Sequence, residues 1–182
     1  MSFFLPSERT DVADPREVYG RLLKLPEFAH LTEAEARVEW LFRTHEEVRG
    51  GRRVLGTVYR PDVQGRLREV FQWLLDDKFG GVGDEERGID FLIVLDAEFW
   101  LDAGEREREI LVYHELCHIQ PAFDRFGAQR FDKATGLPIL TLVGHDVEEF
   151  SAVVRKYGAY SGELRDFIAA AAAGAAGQHG AR

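Results

Sequence analysis

In the stretch VYHELCHI, residues 112–119, two histidines stand four positions apart and a glutamate directly follows the first. A helix advances about 100° per residue, so at this spacing His114 and His118 project from one face, one turn apart. Their imidazole nitrogens can then share one tetrahedral cation, with Glu115 close enough to reach a water on it. Zn²⁺ held this way brings the pKa of its water towards neutrality, and a neighbouring carboxylate can take the proton. This is the chemistry of the His-Glu-x-x-His pattern. The plain alternative is a metal-free helix that spells the pattern by chance, and the surrounding sequence discriminates between the two.

Two histidines do not make a stable zinc site, and a third protein ligand is required. Four histidines remain: His30, His45, His145 and His179. His179 lies in an alanine- and glycine-rich tail, and His30 and His45 read as surface or capping residues. His145 follows Gly144 and opens the run GHDVEEFSAVVRKYG, which has the pattern of an amphipathic helix. Asp146, Glu148 and Glu149 crowd its first turn, where negative charge suits the helix dipole. Glu148 and Glu149 stay open as third ligands, because catalytic zinc accepts either three histidines or two histidines and a glutamate. One of these acids could instead orient a ligand histidine.

The elements that would position these groups can be read from periodicity. EREREILVYHELCHI consists of strong helix formers, and IDFLIVLD (89–96) is a short, continuously apolar run typical of a buried strand. Thr32-Glu33-Ala34-Glu35 reads as a capping box opening a helix to about Val48, and RRVLGTVYRP (52–61) as a strand. VQGRLREVFQWLLDDKFGG is amphipathic, and FDKATGLPILTLV suggests two short strands around Thr135-Gly136. The alternation of helices and strands predicts an α+β domain, with a small mixed sheet packed on helices that include the HELCH helix. The domain spans 14–168, preceded by a flexible arm (1–13) and followed by a disordered Ala/Gly tail (169–182).

The 182 residues suffice for one domain with a buried core. A net charge of −9 argues against general binding to nucleic acid or anionic membranes. No apolar run approaches the roughly 20 residues of a membrane helix. The single cysteine, Cys117, precludes an internal disulfide and fits the cytoplasm. Cys117 reads as a small core residue. Tyr113 and Tyr157 read as packing residues, with hydrogen-bond donation to an oxyanion as the alternative. Phe99, Trp100 and Trp73 are assigned to the core.

HELCHI followed by GHDVEEFSAVVRKYG, with DFLIVLDAEFW ahead, resembles the putative phage metallopeptidase family and is more distantly similar to SprT-like and other minimal zincins. The resemblance spans roughly residues 52–160. It implies a minimal zincin holding one Zn²⁺ per chain through His114, His118 and His145, with Glu115 as general base and a peptide or protein as substrate. It also implies that the IDFLIVLD strand could hold substrate as a sheet edge. Asp146 stands where SprT-like proteins carry glycine, and Phe150 falls one position later than their aromatic residue. The expected function is therefore zinc-dependent peptide-bond hydrolysis. A zinc-containing regulatory or binding protein of phage or prophage origin, with little turnover, is the alternative.

Overall fold

The computed structural model describes residues 2–61, 68–79, 88–145, 154, 158–159 and 162–179. By internal contacts the chain forms two units, Met1–Val143 and Gly144–Arg182. The first unit is α+β, as its sequence pattern implies. Its strands are β1 (Phe3–Phe4), β2 (Val38–Arg43), β3 (Val48–Arg49), β4 (Arg52–Arg53), β5 (Gly56–Tyr59), β6 (Phe91–Asp96), β7 (Ile119–Pro121) and β8 (Leu140–Leu142). Its helices are α1 (Pro15–Leu22), α2 (Ala29–Glu33), α3 (Arg68–Phe79), α4 (Ala97–Asp102) and α5 (Glu105–Cys117).

Four strands make a mixed sheet in the order β1-β2-β6-β5. β2 and β6 run parallel, with Val38 opposite Phe91 and Arg43 opposite Asp96. β1 and β5 pair antiparallel on the outside, the latter with Gly56 opposite Leu95. β6 is thus central, and the strand expected to serve as an edge has neighbours on both sides. Among the described strands, the edge beside it is β5. β3–β4 and β7–β8 form separate two-stranded ladders.

The sheet and helices enclose a core that includes Trp40, Phe42, Ile93, Leu95, Trp100, Val112 and Leu116. α5 packs against α1 and against β5. Trp100 is fully buried and its indole N–H donates to the Ala13 carbonyl at 2.8 Å. Trp73, by contrast, is 63% exposed, which corrects its assignment to the core.

The segment 34–48, expected as helix, instead contains β2. Val38, Trp40 and Phe42 are buried at every second position, the period of a strand. Thr32–Glu35 belongs to the end of a helix rather than its beginning. Glu35 takes φ +50, the Glu35 N–H bonds the Thr32 carbonyl, and the Ala36 N–H reaches back to the Leu31 carbonyl at 2.9 Å. Those two bonds form the left-handed C-terminal cap that stops a helix. In the opening segment, Phe3 and Phe4 pair with Arg43 and Phe42, and Val12 is buried.

In the second unit, the Gly158 N–H bonds the Val154 carbonyl at 2.9 Å, and Gly158 takes φ +68, the left-handed conformation that suits glycine at a helix end. Helix α6 (Gly162–His179) runs through the alanine-rich segment expected to be a tail, where alanine is the strongest helix former. Among the described residues no helix is long and apolar enough to cross a membrane.

Candidate active site

α5 carries the HELCH residues. The Gly104 N–H ahead of the helix is accepted by the Glu107 carboxylate at 2.8 Å, and Glu105 and Glu107 place negative charge at its first turn. Leu111, Val112, Glu115 and Leu116 are buried and fasten one side of α5 to the core. His114 and His118 flank that side, with ring centroids 5.0 Å apart and planes near perpendicular. The expectation that they share a face is met.

His118 stands at the end of the helix, where the chain turns into β7. Two hydrogen bonds tie it to Val143, the residue after β8. The Val143 N–H donates to the His118 carbonyl at 2.8 Å, and His118 Nδ1 lies 2.8 Å from the Val143 carbonyl. A carbonyl can only accept, so Nδ1 carries the proton and the ring's lone pair is directed to Nε2. A carbonyl on the second nitrogen is the usual way a ligand imidazole is oriented.

His145 follows Val143 by two residues, so its Cα can lie at most about 7 Å from that of Val143. One nitrogen from each of His114, His118 and His145 lies within 4.8 Å of the others, and the three could hold a metal ion. Three imidazole nitrogens suit a borderline-soft divalent cation such as zinc. His30 is used elsewhere: its Nε2 lies 2.8 Å from the Ile119 carbonyl. His45 stands edge-on to Phe3. Asp146, Glu148, Glu149 and Tyr157 lie outside the described residues.

Glu115 is only 3% exposed. Burial pushes its carboxyl up to about 7, against the opposing charge of Arg43. Its neighbour is the backbone of Gly56, the first residue of β5. A Cβ built there would come within 2.3 Å of Glu115 Oε1 and 2.7 Å of its Cδ. Only glycine lets the strand pass so close to the carboxyl.

A set of ion pairs lies where β2 and β6 end. Arg43 and Asp96, opposite each other in register, are each 2% exposed and lie 3.7 Å apart. Arg53 donates to both Asp96 oxygens, at 2.6 and 3.1 Å, and to Glu98 at 2.7 Å. Burial raises the Asp96 pKa, but the hydrogen bonds from Arg53 and the Phe99 N–H, with the charges of Arg53 and Arg43, outweigh this and hold it below the ordinary value.

Cys117, expected in the core, is exposed. The Tyr113 hydroxyl donates to Glu27 at 3.3 Å and its ring meets Phe28 edge-on, in keeping with a packing role. Sequence reasoning did not anticipate Val143, Gly56 or Arg43. Gly56, lying within an otherwise strand-like run, was the one available signal, since a glycine there often marks close backbone approach.

A fold of this class with three clustered histidines, and a buried glutamate on the helix that carries two of them, has the composition of a metallohydrolase centre. Residues 8–172 match the family described as putative phage metallopeptidase, and the chain belongs to that family. No curated protein and no solved structure matches the chain significantly.

Proposed function

We propose that the protein is a zinc-dependent metallopeptidase with one zinc per chain, held by His114, His118 and His145. The observation that carries this reading is the convergence of three imidazole nitrogens within 4.8 Å, two of them from the helix that also presents the buried Glu115. Membership of the phage metallopeptidase family supports it. Bound there, zinc would supply Lewis acidity, polarising a peptide carbonyl and acidifying a water.

The protein's own groups do the rest. Glu115 accepts a proton from the attacking water at a carboxylate oxygen and returns it to the leaving amine nitrogen. Burial favours the protonated form of this carboxyl, which suits uptake of that proton. His118 is held in its ligating tautomer by the Val143 carbonyl. β5 ends the sheet among the described strands, and Gly56 brings that edge beside Glu115. An extended peptide added along β5 would therefore lie near the base.

The test is metal analysis of protein purified without added metal, together with digestion of a denatured proteome by wild type and Glu115→Gln. About one zinc per chain, with cleavage by wild type alone, is the expected result. Zinc with equal, background cleavage by both proteins would favour the regulatory or binding protein. Zinc far below stoichiometry would remove the metal site altogether.

A further inference from the structure

We infer that Arg43 is a positioning residue for Glu115: it clamps the chain just before β5 so that Gly56 is held against the glutamate's carboxyl. The inference rests on the metallopeptidase reading for its consequence in catalysis, and on geometry alone for the clamp.

Arg43 ends β2 and is 2% exposed, an expensive place for a guanidinium. Its Nε is buried and makes no hydrogen bond among the described residues. Its two terminal nitrogens are committed. Nη1 donates to the Glu47 carboxylate at 3.2 Å, and Nη2 donates to the carbonyl of Val54. The Val54 N–H is bonded in turn to the Glu47 carbonyl at 2.8 Å. Both sides of Val54 are thus fixed, one of them by Arg43 directly.

The next residue is fixed from β6. The Leu55 carbonyl accepts from the Asp96 N–H at 2.8 Å, and the Asp96 carboxylate is held by Arg53 and lies 3.7 Å from Arg43. Gly56 follows, with its backbone against Glu115. Two successive carbonyls are therefore pinned immediately before the glycine that lies against the Glu115 carboxyl. The pins come from residues paired in register at the ends of the two parallel strands. An apolar residue at position 43 would fill the volume but could not hold the Val54 carbonyl.

The test uses the zinc-loaded full chain carrying Arg43→Lys or Arg43→Met. Lysine keeps the charge, but one ammonium cannot reproduce the guanidinium's fork to Glu47 and Val54. The probes are amide exchange at Val54 and along β5, the ¹³Cδ resonance of Glu115 (assigned by its loss in Glu115→Gln), zinc content, and kcat and KM on fluorescently labelled unfolded casein. Arg43→Lys is expected to fold and keep its zinc. Exchange at Val54 should quicken by about 10-fold or more while the β2–β6 amides stay protected. The Glu115 resonance should move, and kcat should fall by about 10- to 100-fold at nearly unchanged KM. A destabilised but correctly arranged site would instead keep its kcat per folded molecule, and that result overturns the proposal. So does an unmoved Glu115 resonance with unchanged exchange. Failure of both variants to fold would make Arg43 purely structural and equally overturn it. If wild type cleaves casein no faster than Glu115→Gln, the peptidase reading fails separately, and exchange and the resonance still decide the clamp.

Discussion

Gly56 and Glu115, 59 residues apart in the chain, are in backbone-to-carboxyl contact so close that a single methyl group would come within 2.3 Å of the carboxylate oxygen and 2.9 Å of Cγ. Glu115 is 3% exposed, so its side chain has little room to swing aside. Gly56→Ala should therefore displace the carboxyl from the position it holds against β5. Hydrolysis is expected to fall by about 10- to 100-fold, since a displacement near 1 Å at a reacting group costs that much. Overpacking should also destabilise the fold by about 1–3 kcal/mol. Zinc content should be unchanged, because the atoms that the added methyl would meet first belong to Glu115. Wild-type turnover in this variant would show that the carboxyl does not need its present position.

Glu115 should also set the pH dependence of stability when metal is chelated. Its folded pKa, about 7, lies above the ordinary 4.5, so the native state binds the extra proton. The corresponding stability is fully present below pH 4.5 and is lost as pH rises through 7. Glu115→Gln has no proton to lose. The metal-free variant should thus match wild type near pH 4 and exceed it at pH 8, by on the order of 3 kcal/mol. Denaturant titrations at the two pH values give the answer, and parallel curves for the two proteins would contradict the buried-carboxyl account.

Asp96 predicts the opposite limb. Its folded pKa is held below the ordinary 3.8, so its contribution is present above that value and is lost as pH falls below it. Asp96→Asn removes the carboxylate shared by Arg53 and Arg43 and should cost about 3 kcal/mol at pH 7. The gap between the variant and wild type should then narrow as both are taken below pH 4. A gap that stays constant would mean that Asp96 acts through the N–H of Phe99, which it caps, rather than through charge.

The parts of this site that could be read from sequence are those with local spacing. His114, Glu115 and His118 sit within five residues, where helical geometry alone decides which side chains share a face. Gly56 and Arg43 reach Glu115 through sheet pairing, and no local pattern encodes which strand end will meet which helix. The misreading of β2 has a related origin. Thr32–Glu35 has the letters of a helix-opening box, but the backbone of Glu35 enters the left-handed region and closes α2 instead. Once that helix has ended, the alternation of Val38, Trp40 and Phe42 decides in favour of a strand. Helix α6 extends into the alanine-rich end because alanine favours helix without any packing partner.

The third ligand is the remaining assignment open to direct test. Val143 is bonded on both sides to His118, and two residues, Gly144 and His145, come next in the chain. His145 is the second of them, and a nitrogen of its ring lies within 4.8 Å of those of His114 and His118. Glu148 and Glu149 are accounted for without metal, as acids in the first turn of a helical sequence pattern. His145→Ala should lose most of its zinc at equal folded fraction. Glu148→Ala and Glu149→Ala should keep theirs, with affinity weakened by about 10- to 100-fold at most if either supports a ligand ring. Wild type should also melt higher with zinc than after chelation, by an amount corresponding to about 2.7 kcal/mol when free zinc is about 100 times its Kd. That increment should vanish in His145→Ala and survive in both glutamate variants. Full zinc in His145→Ala with loss in one glutamate variant would make the centre a two-histidine, one-glutamate site, and His145 would then be a bystander two residues past the Val143 anchor.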